Sequence, residues 1–366
     1  MKICIILPDL RGGGAEKVCI NLAKEWIKQK HNVSFILMQK KGEFLKEVPS
    51  EINIIDLKKK KIRNLCFSLF KLFFKEKYDV ICVNMWPLTS VAVFSWLLSF
   101  KKGKLFVIDH VHLESSVLKE LKISYLIFKI ILGFTYLFPN KIITVSNGVK
   151  KNLLQINKNL KKKIRVVYNP IVSKKEIFSK VINKSLIIKK IWGKKSFYKI
   201  LAVGSLKEQK NYFNLITAFS KINRIKNSKL LIVGNGKLEK KLKKYCKILK
   251  LERKIIFAGF QRDLGPYYQT TDIFVSSSSW EGFSNVIAEA ISYGNTVVAT
   301  NCESGPAEIL QNGKLGYLVP VDNPIALTKA INIAYNNKIN KKRLIKRSLD
   351  FEISKIAKKY INIFND

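Results

Sequence analysis

The chain has 366 residues, with 67 Lys and Arg against 26 Asp and Glu, which gives a formal net charge of +41. Hydrophobic residues make up 47% of it, and with only 18 Gly and nine Pro the composition excludes disordered and collagen-like chains. Its length exceeds what one ordinary hydrophobic core accommodates and therefore favours two domains.

The first half of the chain alternates short apolar runs with amphipathic segments. The runs predicted to be strands lie at residues 3–7, 33–38, 52–57, 80–83, 105–108, 142–145 and 165–168. Strands that are apolar throughout and alternate with helices are typical of a parallel sheet covered by helices on both faces. Residues 1–170 are therefore predicted to form one doubly wound, Rossmann-like α/β domain.

A Lys-rich stretch of weak periodicity follows, and residues 171–198 are predicted to connect two domains. Further strands are predicted at residues 200–203, 230–233, 255–257, 273–276, 296–300 and 318–320. Residues 199–348 are therefore expected to form a second doubly wound domain, and residues 349–366 a C-terminal amphipathic helix that packs back on the first. Because open α/β sheets bind ligands at the carboxyl ends of their strands, the two domains are expected to face an interdomain cleft.

Two motifs of the first domain follow predicted strands. Gly13 and Gly14 come after the first strand and open a helix, where bare backbone can approach a ligand and helix N–H groups favour an anion. A lysine takes the position of the third Gly of a dinucleotide-binding turn, which argues against such a turn and leaves a plain tight turn as the alternative. His110 follows the strand at 105–108 and is preferred to His112 because it lies closer to the strand end; a surface histidine is the alternative.

The second domain contains the most specific stretch of the chain. Glu281 lies in a Gly-containing turn after a buried strand, and Glu289 lies eight residues later, about two turns along the following helix. A solvated helix can carry such a pair of acids, but solvation does not explain an acid in that turn. Lys210 stands at the start of the domain's first helix, where a lysine can meet a phosphate beside the positive end of the helix dipole. With 59 Lys in the chain, a solvated side chain is the alternative.

The spacing of cysteines and carboxylates indicates the redox environment of the protein and whether a metal site is expected. The six cysteines are scattered without a C-x-x-C pair, and several lie in apolar runs, which favours a reducing, cytoplasmic setting. The sequence contains no D-x-D motif and no His, Cys and carboxylate cluster with zinc spacing, so no metal site is predicted.

With these motifs in this order, the chain resembles retaining glycosyltransferases of the GT-B fold, of the family 4 type (glycosyl transferases group 1). The resemblance covers nearly the whole chain and rests on the stretches at 13–16, 109–110, 168–170, 204–211, 234–236, 281–290 and 305–308. It implies that the first domain is the acceptor side and that the second binds a nucleotide sugar.

The resemblance also implies roles for single residues. Lys210 should neutralise the donor diphosphate, Glu281 should bind hydroxyls of the donor sugar, and Glu289 should bind the ribose. Ser205 stands where the family usually has Arg, which leaves Lys210 with more of the charge neutralisation. The implied donor-binding residues are Gly13, Gly14, Ser205, Lys210, Gly282, Phe283, Ser284, Asn285 and Glu289, and the implied catalytic residues are His110 and Glu281.

The expected function is transfer of a hexose or N-acetylhexosamine, with retention, from a nucleotide sugar, in the first place a UDP-sugar. The expected acceptor is a surface polysaccharide, a lipopolysaccharide or another lipid-linked glycan, and no cofactor or metal is expected. Whether Glu281 acts as a nucleophile or only positions the donor stays open. The alternatives are a sugar-nucleotide epimerase of the same fold and a basic nucleic-acid-binding protein. Against nucleic acid, Lys is spread along the chain and no helix-turn-helix or interleaved aromatic and basic motif occurs.

Two stretches of the first domain combine basic and apolar residues. Four lysines at 58–61 lead into the apolar residues of 65–74, and a second apolar helical pattern runs from 123 to 138. Such segments favour docking on an anionic membrane surface, here the inner face of the cytoplasmic membrane. A spanning helix is the weaker alternative, and ordinary core helices with wet lysine-bearing faces are another.

Overall fold

The computed structural model of the chain describes residues 1–118, 124–174, 190–193, 198–222 and 228–366. The chain divides into two units, of which unit 1 contains Met1–Ile171 and Ile353–Asp366 and unit 2 contains Val172–Glu352. Each unit has its own sheet flanked by helices, so the predicted class of two doubly wound α/β domains is confirmed. Much of the predicted connecting segment, at 175–189 and 194–197, lies outside the described residues.

Unit 1 is built on a seven-stranded parallel sheet. Its strands are β1 (Lys2–Leu7), β2 (Asn32–Leu37), β3 (Asn53–Asp56), β4 (Val80–Asn84), β5 (Lys104–Asp109), β6 (Lys141–Thr144) and β7 (Ile164–Val166). They lie in the order β3-β2-β1-β4-β5-β6-β7. Its helices before the last segment are α1 (Gly14–Lys28), α2 (Cys66–Lys75), α3 (Leu88–Leu98), α4 (Leu113–Ser116), α5 (Tyr125–Thr135) and α6 (Asn147–Ile156).

Unit 2 repeats this plan with a six-stranded parallel sheet. Its strands are β8 (Tyr198–Val203), β9 (Ser228–Val233), β10 (Ile255–Phe257), β11 (Ile273–Ser276), β12 (Thr296–Thr300) and β13 (Tyr317–Val319). They lie in the order β10-β9-β8-β11-β12-β13. The helices are α7 (Tyr212–Ser220), α8 (Glu239–Ile248), α9 (Gly265–Thr270), α10 (Asn285–Ser292), α11 (Pro306–Ile309), α12 (Pro324–Asn336) and α13 (Lys341–Ser348).

The last helix, α14 (Ile353–Asn365), belongs to unit 1. Its apolar residues recur every three or four positions, and the resulting face packs on α1. Trp26 of α1 donates its indole N–H to the Ala357 carbonyl at 3.3 Å and meets the rings of Tyr360 and Phe364 edge-on. Burial of this aromatic cluster fixes the last helix against the first.

The strand order places the ligand-binding edge of each sheet. The order reverses between β1 and β4 in unit 1 and between β8 and β11 in unit 2, and α/β sheets bind ligands outside the carboxyl ends of the strands at such points. The loops after β1, β8 and β11 carry motifs singled out in the sequence, and His110 follows β5, the neighbour of β4. Across the described part of the chain, no helix combines the length and the apolar character needed to cross a bilayer.

Candidate active site

The loops at the switch point of unit 2 approach one another through glycine backbone. Gly234, which follows β9, has a φ of +137°, and a Cβ there would lie 2.1 Å from the Gly204 carbonyl oxygen after β8. Gly305, which follows β12, has a φ of +93°, and a Cβ would lie 2.2 Å from the Phe283 carbonyl oxygen. Any larger residue would push these loops apart, so the glycines keep the strand ends closely packed.

Lys210 and Glu281 form an ion pair between the loops that follow β8 and β11. Lys210 ends a 3₁₀ helix (Glu208–Lys210) after β8, and Glu281 lies in the loop after β11. The Lys210 Nζ lies 2.5 Å from the Glu281 Oε1, and the two side chains are 15% and 7% exposed. A pair this far removed from water interacts more strongly than a surface pair, because solvent screens it less. The structure thus brings together two residues that the sequence singled out separately.

Hydrogen bonds between the same two loops hold the pair in place. The Gln209 side chain donates to the Trp280 carbonyl at 2.8 Å, and the Gln209 carbonyl accepts from the Ser279 N–H at 2.8 Å. Ser278 donates its hydroxyl proton to the Glu281 Oε1 at 2.6 Å. Both charged side chains are therefore fixed before a ligand arrives, which lowers the reorganisation needed for binding.

The loop after Glu281 leads into α10. Ser284 directly precedes α10 in a left-handed conformation with a φ of 74°, and its buried hydroxyl has no hydrogen-bond partner in the described part of the chain. Gly282, Phe283 and Asn285 lie around it at the helix start, where backbone N–H groups and the helix dipole favour an anion.

Glu289 and Ser205 lie on segments adjoining the two loops of the ion pair, in α10 and directly after β8. Glu289 is half-buried on α10, and the Tyr268 hydroxyl donates to its Oε2 at 2.8 Å. Ser205 is exposed in the turn after β8 and so leaves room for a longer side chain. The described residues contain no group of three His, Cys, Asp or Glu side chains able to hold a metal ion.

The glycine turn of unit 1 follows β1. Gly13 is the N-cap of α1, and a Cβ added there would lie 2.2 Å from a carboxylate oxygen of Glu16. A carboxylate therefore already stands at the positive end of α1, beside Gly13 and Gly14. This disfavours a second anion at the turn and favours an uncharged ligand such as a sugar.

His110 is buried at the end of β5, which excludes the alternative of a surface histidine. Asn84, at the end of β4, donates its amide N–H to the Ile6 carbonyl at 3.2 Å, which makes its Oδ1 the acceptor. The His110 Nε2–H therefore donates to the Asn84 Oδ1, 2.9 Å away, and burial lowers the histidine pKa to about 4. At neutral pH the ring is uncharged and held in one tautomer. His112 instead caps α4, since its Nδ1 accepts from the Ser115 N–H at 3.4 Å.

Asp109 stands next to His110 in a second buried network. Tyr136 donates its hydroxyl proton to the Asp109 Oδ1 at 2.9 Å, and Thr89 lies 3.0 Å from the same tyrosine oxygen. Burial raises the pKa of Asp109 to about 7, although the bond from Tyr136 opposes the shift. Asp109, the residue before His110, is therefore a buried carboxyl group with a pKa near neutrality.

Three side chains that contact the candidate site residues were not singled out from the sequence. Asn84 had a signal, because it is the one polar residue of an otherwise apolar strand. Ser278 lies in a run of four serines that conceals which of them binds Glu281. No sequence pattern indicated Tyr268, because its hydrogen bond to Glu289 joins two different helices.

Comparisons with known proteins define the class. Residues 12–175 match the family described as Glycosyltransferase Family 4, and residues 184–350 match the family described as Glycosyl transferases group 1. The chain belongs to the family 4, group 1 glycosyltransferases, as its sequence motifs predicted. These matches do not favour the epimerase or the nucleic-acid-binding protein.

Individual relatives extend over most of the chain. It is 27% identical to the N-acetylgalactosamine-N,N'-diacetylbacillosaminyl-diphospho-undecaprenol 4-alpha-N-acetylgalactosaminyltransferase of Campylobacter jejuni, over 98% of this chain and 97% of the relative. It is 28% identical to the UDP-Gal:alpha-D-GlcNAc-diphosphoundecaprenol alpha-1,3-galactosyltransferase of Escherichia coli, over 74% and 70% of the two chains. Its fold is similar to that of Anabaena HepE, crystallised with UDP and glucose, with a TM-score of 0.82, 18% identity and coverage of 99% and 98%.

Proposed function

We propose that this glycosyltransferase moves a hexose or N-acetylhexosamine from a UDP-sugar to a lipid-linked acceptor, with retention of the anomeric configuration. The observation that carries the donor half is the buried pair of Lys210 and Glu281 at the switch point of unit 2. The names of the Campylobacter jejuni and Escherichia coli relatives support the acceptor half, because both specify a sugar chain on diphospho-undecaprenol. Such an acceptor places the reaction at a membrane surface, and we propose the cytoplasmic face.

The donor diphosphate is proposed to bind between Lys210 and the start of α10. In the reaction, the bond from the sugar C1 to the diphosphate breaks, and its electron pair leaves with the diphosphate. Lys210 and the N–H groups around Ser284 stabilise that charge without a metal ion. The acceptor oxygen then bonds to C1, and its proton is transferred to the departing phosphate.

Glu281 is proposed to position the sugar and not to attack it. The support for this role is that its Oε1 accepts from both Lys210 and Ser278, which holds the carboxylate in a fixed orientation. When the diphosphate engages Lys210, part of the charge pairing on Glu281 is released, and the carboxylate can accept from sugar hydroxyls. Glu289 is proposed to accept from the ribose hydroxyls.

Unit 1 is proposed to contact the transferred sugar and the acceptor. The backbone at Gly13 and Gly14, beside the Glu16 carboxylate, suits sugar hydroxyls better than phosphate. The neutral His110, held in place by Asn84, is proposed to pack against the sugar as an uncharged side chain of fixed orientation.

A panel of nucleoside diphosphates and nucleotide sugars tests the donor half. A ligand at one hundred times its dissociation constant stabilises a protein by about 2.7 kcal/mol, so the correct donor raises the unfolding temperature measurably. We expect UDP and one or a few UDP-sugars to protect, whereas an oligonucleotide at high salt should not. Protection by no nucleotide sugar would contradict the proposal.

Chemical rescue tests the role of Glu281. If this residue were the nucleophile, azide added to the Glu281→Ala variant would form a glycosyl azide of inverted configuration. We expect no glycosyl azide, together with a wild-type product of retained configuration in NMR spectra.

A further inference from the structure

Helix α5 of unit 1 is apolar on two sides. Phe128 and Leu132 are fully buried in the core of the unit. A second set of apolar side chains, each between 42% and 66% exposed, consists of Leu126, Ile127, Ile130, Ile131 and Phe134. Their spacing of one and three residues places them along one stripe of the helix. Packing in the core explains the apolar residues on the first side of α5, whereas those on the second side face solvent.

Neighbouring helices also bear exposed apolar side chains. Helix α3 packs against both α5 and α2. Exposed apolar residues of α2, α3 and the turn after α3 are Phe67 (63%), Phe74 (51%), Phe94 (53%), Leu98 (48%) and Phe100 (79%). We call these five residues and the five of α5 the apolar face. Ten exposed large apolar side chains on three helices that pack together and on the turn after α3 indicate an interaction site.

The helices that bear the apolar face carry charges of one sign only. Residues 66–75, 88–102 and 125–141, which contain the three helices and the turns after α3 and α5, include six Lys and no Asp or Glu. Two of the lysines lie on aromatic rings, with the Lys71 Nζ 4.5 Å from the Phe67 ring centre and the Lys102 Nζ 4.3 Å from that of Phe74. Apolar side chains interleaved with cations complement a partner whose interior is apolar and whose surface is negatively charged.

We propose that the apolar face inserts into the anionic surface of a lipid bilayer, with α2, α3 and α5 lying in the plane of the interface. The helices have 10 and 11 residues, and at about 1.5 Å per residue they span roughly half of the hydrocarbon core. They therefore lie in the interface and do not cross it. A second copy of the chain fits this face poorly, because two identical faces would bring lysines against lysines. The inference deepens the proposed function, on whose lipid-linked acceptor it rests.

Vesicle sedimentation with the full chain tests this docking. We expect the protein to sediment with vesicles of phosphatidylcholine and phosphatidylglycerol, to stay in the supernatant with phosphatidylcholine alone, and to be released by salt. Substituting Lys101, Lys129 or Lys141 by Gln should weaken binding about fivefold for each cation removed.

A triple variant separates the apolar contribution from charge. Ile127→Gln, Ile130→Gln and Phe134→Gln together should weaken vesicle binding at least about tenfold, because three exposed apolar side chains no longer enter the bilayer. A matched control combines Ile248→Gln and Ile333→Gln of unit 2, whose side chains are 66% and 48% exposed. This control should bind vesicles like the wild type, and both variants should keep the wild-type unfolding temperature and UDP affinity.

Three results would overturn the docking proposal. The first is wild-type protein that stays in the supernatant with anionic vesicles at low salt. The second is a triple variant that binds them as tightly as the wild type does. The third is a concentration-dependent increase in the mass of the free protein that the triple variant abolishes, which would assign the face to a second copy. UDP affinity is measured separately, so failure of docking and failure of the donor site remain distinguishable.

Discussion

The Lys210 ammonium and the Glu281 carboxylate, 71 residues apart in sequence, meet at 2.5 Å with little exposure to solvent. An exposed pair in the same unit, Lys243 and Glu239, is almost as close at 2.6 Å, but its side chains are 56% and 35% exposed. The two pairs thus share chemistry and differ in environment. In the proposed site, a donor diphosphate that reaches Lys210 would replace an existing anionic partner, which would couple diphosphate binding to the release of Glu281 for the sugar.

Removing either partner of the buried pair should strongly reduce transfer. Loss of one preorganised charge-stabilising contact raises the barrier by about 2.7–4 kcal/mol, so Lys210→Ala and Glu281→Ala should each slow the reaction about a hundredfold to a thousandfold. Lys243→Ala, which breaks the exposed pair, should leave the rate near that of the wild type. Initial rates at subsaturating donor provide the measurement.

Folding of these variants needs its own control, because leaving one buried charge unpaired destabilises a protein by about 3–5 kcal/mol. The double variant Lys210→Met, Glu281→Met removes both charges and should be more stable than either single alanine variant. A folded Lys210→Ala or Glu281→Ala variant with a near wild-type rate would remove that residue from the site.

Adding a cation after β8 should tighten diphosphate binding. Ser205 is exposed in that turn, and a new charge-assisted hydrogen bond there should strengthen UDP binding about tenfold. Calorimetric titration of the Ser205→Arg variant, with Ser205→Gln as an uncharged control, measures the gain. Equal UDP affinity in both variants would mean that the diphosphate lies elsewhere.

Asp109 and His110 should make opposing contributions to the pH dependence of stability. The folded-state pKa of Asp109 is raised to about 7, so its contribution to stability is present at low pH and is lost as the pH rises from about 4 to 7. The folded-state pKa of His110 is lowered to about 4, so its contribution is present above about pH 6.5 and is lost as the pH falls. In the wild type the two slopes largely cancel between about pH 4.5 and 6.5.

Single variants should uncover each slope. Relative to the wild type, the unfolding free energy of Asp109→Asn should rise with pH by up to about 1.4 kcal/mol per unit, and that of His110→Gln should fall by as much. Urea unfolding at several pH values between about 4.5 and 6.5 measures both slopes. Curves for the two variants that run parallel to the wild type would show that neither group is buried as described.

Transfer should continue in the presence of a chelator. We attribute charge neutralisation at the diphosphate to Lys210 and to backbone N–H groups, so EDTA should leave the rate unchanged within about twofold. Loss of activity in EDTA that magnesium or manganese restores would contradict this attribution.

The fold was predictable from the sequence because apolar strands and amphipathic helices have distinct periods. The two sheets accordingly contain every predicted strand, with bounds shifted by a few residues. Position after a strand also pointed to Lys210, Glu281 and His110. Their contacts were not predictable in this way, because periodicity does not give strand order: the pairing of Lys210 with Glu281 depends on β8 lying beside β11.

Burial at the end of β5 is a second property that depends on packing. The sequence left open a surface position for His110, since a polar residue after a strand can turn either way. The environment of the ring is set by Asn84 at the end of the neighbouring strand β4, and that neighbour is known only once the strands are paired. The raised pKa of Asp109 likewise comes from burial in the packed unit, and Tyr136, whose hydrogen bond opposes the shift, lies 27 residues farther along the chain.

The most direct test of nucleotide-sugar-dependent transfer follows the sugar itself. Each of a panel of radiolabelled UDP-sugars is incubated with the enzyme and with undecaprenyl-diphosphate-linked glycans, and label in the lipid fraction is compared with the UDP released. We predict that one donor transfers label to the lipid, with one UDP released for each sugar moved, and that Glu281→Ala reduces both about a hundredfold or more. Consumption of the nucleotide sugar without label in the lipid fraction, or no consumption of any donor, would contradict the assignment.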